Sequence, residues 1–246
     1  MKKHQKQMKI AILSDIHGNN AALSEVLRSI DRQGISNLFV LGDQLGYYFQ
    51  AEKVYKELSR YVNCMIQGNH ERLFLEFLKA DEARRKELTE KYGSCFSFYE
   101  KTFTPDLINF IRKLPKSMSV ERDGLRFSLC HGAPVDEDQY LYPDAEAEIF
   151  QQFDMPGTDF VFFGHTHYPM MYCDKYSVLI NPGSVGQART VGGVANWGIL
   201  DTKNGVYTPQ CTPYNIQTVI EDLAKKKNTK SYLQEVLKRN NAWHEV

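Results

Sequence analysis

The sequence predicts an α/β fold: a largely parallel sheet, then a second, mixed sheet, with a helical insertion between them. Three observations predict it. Apolar, strand-like runs alternate with helical stretches from Lys9 to Ile66. The polar residues that end those runs recur at a near-constant interval. Asp15 and Asp43 are 28 residues apart and Asp43 and Asn69 are 26 apart, close to the ~30 residues of one βαβ unit. Beyond Met118 the apolar runs become short and few helical patterns separate them.

Lys9 to Leu13 is an apolar strand that ends at Ser14-Asp15-Ile16-His17-Gly18-Asn19. Leu23, Val26, Leu27 and Ile30 then recur at helical spacing, with Asn19 or Asn20 as the cap and Gly34 as the stop. Leu38 to Leu41 is the next strand and ends at Gly42-Asp43. A helix over Glu52 to Tyr61 follows, and Tyr61 to Ile66 is a third strand leading into Gly68-Asn69-His70-Glu71, where glycine permits a sharp turn. Right-handed crossovers make such an alternation a parallel sheet.

Residues 72–118 break this rhythm. Phe74, Phe77 and Leu78 form an apolar stripe on a charged helical stretch. Thr104-Pro105 opens another helix, with Leu107, Ile111 and Leu114 on its buried face and Pro115 at its end. So short a stretch holds no core of its own. It therefore reads as a helical insertion within one domain covering residues 1–246, and because it directly follows Glu71 it is expected to cover the mouth of the site. The sheet then resumes. Leu125 to Cys130 ends at His131-Gly132, Phe160 to Phe163 at Gly164-His165-Thr166-His167, and Ser177 to Ile180 at Asn181-Pro182-Gly183-Ser184. Trp197 to Asp201 and Val206 to Thr212 form a hairpin around Asn204-Gly205, expected to close the second sheet. Ile216 to Leu223 and Tyr232 to Leu237 are helices of the C-terminal stretch 213–246.

Basic and acidic residues number 30 each, so the formal net charge is zero and no global field favours nucleic acid or anionic membrane. The five cysteines are odd in number and contain no Cys-x-x-Cys, as expected of reduced thiols in a cytoplasmic protein, with Cys64 and Cys130 as buried small hydrophobes. Met1 to Gln7 is polar and basic with no apolar stretch behind it, unlike a secretory leader.

The candidate functional residues are Asp15, His17, Asp43, Asn69, His70, His131, His165 and His167. Each sits where an apolar run ends, the edge at which open α/β sheets bind ligands. They include five of the seven histidines; only His4 and His244 lie elsewhere. Asp15 and His17, like His165 and His167, are spaced i, i+2, which in extended backbone points both side chains to one side. Mixed Asp/Asn/His donors suit Mn, Fe, Zn or Ni rather than Ca or Mg. With His70 set apart as a group that can move a proton near neutral pH, the seven remaining groups exceed one tetrahedral ion. They suit two divalent ions about 3.5–4 Å apart, with Asp43, on the middle strand, as the bridging carboxylate. A lone His-Gly turn or a lone Asp cap is more often structural; shared position, order and spacing favour the metal reading.

In this order, Asp15-x-His17, Gly42-Asp43, Gly68-Asn69-His70-Glu71, His131 and Gly164-His165-x-His167 resemble the signature of the calcineurin-like metallophosphoesterases. Ser14 to Asn19 and Asn181 to Arg189 are similar to the small bacterial and archaeal phosphodiesterase branch. The resemblance implies a four-layer α/β/β/α sandwich. It also implies Asp15, His17, Asp43 and His167 around one metal, Asp43, Asn69, His131 and His165 around the other, and His70 beside both as the catalytic acid. Asn19 and Arg189 are candidate substrate contacts. Gln44 departs from the acidic residue many relatives carry after Gly-Asp, and Tyr47-Tyr48-Phe49 from a region often richer in Gly and Pro. Those three rings are candidates to stack on a base or aryl group.

The expected activity is hydrolysis of phosphodiesters or nucleotide phosphoanhydrides by hydroxide generated on two metals, with His70 protonating the leaving oxygen. The expected partner is a small phosphoester or nucleotide. A homo-oligomer stays open, no membrane is expected, and nucleic acid is disfavoured. The alternatives are a dinucleoside polyphosphate hydrolase, a phosphoprotein phosphatase and, from another class, a non-catalytic metal-binding scaffold.

Overall fold

The computed structural model describes residues 8–227 and 229–240. The expectations for Met1 to Gln7, His4 and His244 lie outside them. β1 (Lys9–Leu13), β2 (Asn37–Val40) and β3 (Val62–Met65) pair in parallel, with α1 (Asn20–Arg32) and α2 (Ala51–Leu58) as crossovers. α1 forms where expected because Leu23, Val26, Leu27 and Ile30 fall on one buried face and the Asn19 side chain accepts from the Ala22 amide at 3.1 Å.

The stretch after β3 is helical throughout. It comprises α3 (Asn69–Phe77), α4 (Glu82–Tyr92), α5 (Cys95–Thr102) and α6 (Pro105–Lys113). Thr104 caps α6, its hydroxyl accepting from the Leu107 amide at 3.3 Å. Phe74, Phe77, Tyr92, Phe96, Tyr99 and Phe103 are buried in the same core as α1 and α2, so these helices extend that core. Tyr99 donates its hydroxyl to the Tyr48 and Gly46 carbonyls, which ties α5 to the loop after β2.

The second sheet is ordered β4-β5-β6-β8-β7: β4 (Met118–Arg122), β5 (Leu125–Leu129), β6 (Phe160–Phe162), β7 (Met170–Cys173) and β8 (Val178–Asn181). Its central strands β5, β6 and β8 are parallel and its edges are antiparallel. The sequence reading missed β4, β7 and the short α7 (Ala147–Gln151). Both strands are partly exposed edges: β4 mixes polar and apolar residues, and β7, Met170-Met171-Tyr172-Cys173, is a short apolar run that directly follows the His165/His167 turn and was not separated from it.

The C-terminal hairpin corrects the expected topology. β9 (Val194–Asp201) and β10 (Val206–Pro213) join the first sheet, ordered β10-β9-β1-β2-β3, and do not close the second. Burial explains this. Ala195, Trp197 and Ile199 of β9 lie in the core shared with α1, and Leu200 lies in the core between the sheets. A strand covered on both faces belongs in a sheet interior, and the slot beside β1 supplies it. α8 (Ile216–Ala224) and α9 (Tyr232–Lys238) then bury Val219, Leu223, Leu233 and Leu237 against the same helical layer.

Four layers result. Ile10, Ile12, Phe39 and Leu41 of the first sheet share a core with Phe127, Leu129, Phe160, Phe162 and Ile180 of the second. Helices cover the outer face of the first sheet. A thinner layer, with Phe150 and Phe153 over Val161, Phe163 and Leu179, covers the second. Cys130 is buried as expected, whereas Cys64 is half-buried; the five cysteines are unpaired. No described helix is long and apolar enough to cross a membrane.

Candidate metal centre

The loops leaving β1, β2, β3, β5 and β6 meet at one rim, and their backbone is unusual there. Asp15, His17, Asp43, Tyr47, His165 and His167 all have φ between 46° and 69°. Among the described residues only Asp123 shares this left-handed conformation without being glycine. Each such residue costs of order 1–3 kcal/mol and persists where its surroundings over-determine it. They do so here: His17 N donates to Asp43 O at 2.8 Å, Asp15 N to Gly42 O at 3.2 Å, and His165 N to the Asp15 carboxylate at 3.1 Å. The pairs Asp15/His17 and His165/His167 are therefore brought together by left-handed turns, not by the extended geometry their spacing suggested.

Two glycines are needed for close approach. Gly68 is extended, with φ −95°, so it does not make the sharp turn expected of it; a Cβ there would collide with the Asp43 carboxylate and amide. Gly46, at φ 113°, lets the backbone pass over the His70 ring.

The side chains converge. Ligating atoms of Asp15, His17 and His167, of His17, Asp43 and His70, and of Asp15, Asp43 and His131 each lie within 4.8 Å of one another, all on buried residues. His17 Nε2 is 3.0 Å from His167 Nε2, and His131 Nε2 is 3.0 Å from Asn69 Oδ1 and 3.3 Å from Asp43 Oδ2. The second nitrogen of two rings is already committed: His131 Nδ1–H donates to Leu41 O and His167 Nδ1–H to Gln187 O, both at 2.8 Å. In the neutral rings those bonds leave the inward-facing Nε2 atoms as acceptors, a common arrangement for metal-binding histidines. Acceptor lone pairs this close repel unless protons or cations lie among them. Asp15 Oδ1, His17 Nδ1, His70 Nδ1 and His165 Nε2 are also buried without a hydrogen-bond partner. The donor set, its burial and its orphaned atoms fit transition-metal ions.

His165 lies beside His131, ring centroids 4.9 Å apart, but falls outside the three tight groups. His70, expected not to ligate, falls inside one. Its ring packs 4.8 Å from His17 and 5.0 Å from Tyr92 of α4.

Electrostatics follow the geometry. Burial works to raise Asp15 and Asp43, yet His167 and His131 beside Asp15, and His131, His70 and His17 around Asp43, hold both carboxyls well below the usual range. Burial opposes charging His131, but the Asp43 carboxylate outweighs it and raises the imidazole to about 9. Burial lowers His70 to about 4, with Asp43 opposing. Burial, helped by the His131 charge, likewise brings His165 to about 4.

Glu71 has a role the sequence reading did not assign. Its buried carboxylate accepts from the amides of Gly68 and Asp43 at 2.8 Å each and Leu45 at 3.1 Å, and from the Tyr55 hydroxyl at 3.2 Å. It thereby clamps the Asp43 loop onto the Asn69 turn. The signal was present: an acid three residues after Gly68 occupies the capping-box position. Glu71→Ala would strand three buried amides at ~1–3 kcal/mol each. It is expected to lower unfolding free energy by at least ~3 kcal/mol, read from the denaturant midpoint, and to weaken metal retention.

Two other expectations change. Asn19 is buried; its Oδ1 caps α1, and its Nδ2 donates to Gly186 O at 2.9 Å and Tyr214 Oη at 3.2 Å. Its polar atoms are thus committed within the fold. Tyr48 and Phe49 are buried and cannot stack on a ligand. Tyr47 does reach the rim, its ring 4.6 Å from His70 and 4.8 Å from His17. Arg189 is half-buried, and its charge acts on Tyr47, Tyr140 and Tyr232, which places it at this mouth.

Known proteins agree with this architecture. The curated protein MJ0912 of Methanocaldococcus jannaschii, itself described as uncharacterized, is 29% identical over 237 residues, covering 89% of this chain and 93% of its own. A metallophosphoesterase from Sphaerobacter thermophilus superposes with a TM-score of 0.77 at 23% identity, covering 94% of this chain and 98% of the other. The hypothetical protein PH1004 from Pyrococcus horikoshii superposes with a TM-score of 0.78 at 16% identity over the same shares. At those identities the two structures speak for the fold alone. The sequence pattern of the calcineurin-like phosphoesterase superfamily domain matches residues 8–205, most of the chain and every residue of the rim, and the chain belongs to that superfamily.

Proposed function

We propose that the protein is a metal-dependent phosphoesterase that hydrolyses small phosphodiesters or nucleotide phosphoanhydrides. The observation that carries this is the convergence of buried Asp and His side chains from both sheets into three interlocking groups. Asp15, His17, Asp43 and His167 would hold one divalent ion, and Asp43, Asn69, His131 and His165 the other; Mn, Fe, Zn and Ni suit these donors. Bound there, two such ions would neutralise a phosphate and acidify a water molecule.

The chain's own residues do the rest. Leu41 O and Gln187 O fix the His131 and His167 tautomers. Glu71 holds the Asp43 and Asn69 turns together. His70 adjoins His17 and Asp43, and we assign it the role of proton donor to the leaving oxygen. It is neutral near pH 7, because burial dominates; the negative charge of an arriving phosphate favours its protonated form. Arg189 supplies a further positive charge at the mouth. α3 to α6 wall one side, with Tyr92 against His70, and we take residues 72–118 as the element that narrows access and selects small substrates.

The test is a comparison of kcat/KM, which reports relative transition-state binding, for an aryl phosphodiester, a dinucleoside tetraphosphate and a phosphoserine peptide. Each is assayed with Mn, Ni, Zn and Mg. Small diesters or anhydrides are expected to lead. A phosphopeptide ahead by more than about tenfold, ~1.4 kcal/mol, would replace this reading with a protein phosphatase.

A further inference from the structure

We propose that the cleft between Tyr92 and Tyr140 is a subsite for a planar aromatic group, a nucleobase or aryl ring, carried by the phosphoester. The proposal rests on the phosphoesterase reading above and adds the feature of the substrate that is recognised. The cleft has a volume of about 310 Å³, and Asn69, His165, Tyr92, Tyr140, Arg72 and Asp138 are among its lining. Asn69 and His165 are ligand candidates, so the cleft opens directly from the metal centre. Its size lies at the low end of small-molecule sites, roughly 300–1,000 Å³, which suits one ring system and excludes a folded peptide.

The walls are held in place. Tyr140 stacks on His165, centroids 3.9 Å apart at 28°, and Tyr142 lies nearly parallel to it at 5.7 Å and 7°. Opposite, Tyr92 is packed edge-on to His70 at 5.0 Å and tilted against Phe96 at 5.8 Å. Tyr140 is 52% exposed and Tyr142 is 43% exposed on the loop that also delivers His131. Large aromatic rings left in water beside a buried reactive centre gain apolar contact when a flat ligand covers them. The polar lining suits the edge of a heterocycle. Arg72 pairs with Asp138, and its Nη1 lies 3.7 Å from the Glu137 carboxylate but makes no hydrogen bond, while the Asp138 carboxylate is 64% exposed and can accept. Rigid aromatic faces with a donor and an acceptor near their edge match a base more closely than an alkyl group.

The test uses two probes that share a phosphate and differ in the base: adenosine 5′-monophosphate and methyl phosphate. Each is titrated calorimetrically into the full chain loaded with Mn²⁺. The unaltered protein should bind the nucleotide more tightly. Tyr140→Ala should lower the ratio of nucleotide to methyl phosphate affinity by roughly 5- to 150-fold, the range for losing one base–aromatic stack, and Tyr140→Phe should keep the ratio. A parallel loss of both probes, with the ratio unchanged, would mean that Tyr140 only steadies His165 and would overturn the subsite. Equal affinities in the unaltered protein would overturn it too, while leaving the phosphoesterase reading intact. If metal binds and neither probe does, both readings fall.

Discussion

Asp43→Asn is expected to remove most bound divalent metal and to lower turnover by roughly 10³-fold or more, about 4 kcal/mol of barrier, in a protein that still folds. Asp43 belongs to two of the three ligand groups. One oxygen accepts from the His70 amide at 2.8 Å, and the other faces His131 at 3.3 Å and His17 at 3.7 Å. Asparagine can keep the first contact and so the local backbone. It replaces the second oxygen by an amide or, if flipped, loses the first contact; either way it removes the charge shared among the histidines. His167→Ala is the matched control, because His167 belongs to one group only. It should lose less metal and less turnover. Metal content after dialysis and turnover of the same samples decide the matter. Asp43→Asn with unaltered metal content, or full turnover by chelator-treated, metal-free protein, would sink the two-metal mechanism.

His70→Ala is expected to keep the fold and most of the metal while losing roughly 10²–10⁴-fold in turnover, the range for removal of a general acid. The ring is buried among Tyr47, Tyr92 and Phe96, so truncation also leaves a cavity that costs stability. His70→Asn, which fills part of the space, separates the two effects. Leaving-group dependence identifies the chemistry. A nitrophenolate leaves without a proton, so its deficit should be small; a nucleoside or alkyl oxide needs the proton, so its deficit should be large. Burial brings His70 to about 4 in the absence of phosphate, which makes this measurement more informative than a pH profile. An equal deficit for good and poor leaving groups would show that His70 stabilises charge by hydrogen bonding instead of transferring a proton.

Much of the centre was legible as residue types at strand ends. Asp15, Asp43, Asn69, His131 and the His165/His167 pair each follow an apolar run, and parallel strands present their carboxyl ends at one edge. What the spacing could not convey was how neighbours such as Asp15 and His17 reach one place. That depends on left-handed backbone held by bonds between loops far apart in sequence, such as His165 N to Asp15. Asn19 shows the converse: the residue type suits a ligand contact, but its partners Gly186 and Tyr214 lie more than 160 residues away, and they commit it to the fold.

The sequence by itself determined the alternating first sheet, the capped helices α1 and α6, the gathering of Asp and His candidates at strand ends, and the superfamily. These follow from local periodicity, cap chemistry and the order of polar residues along the chain, all of which are properties of short segments. Only the tertiary structure decided that β9 and β10 complete the first sheet, that α3 to α6 share its core, and that Tyr92 and Tyr140 flank one cleft. Those outcomes depend on which apolar surfaces cover one another across long separations, and a strand buried on both faces carries no mark of the neighbour it will pair with.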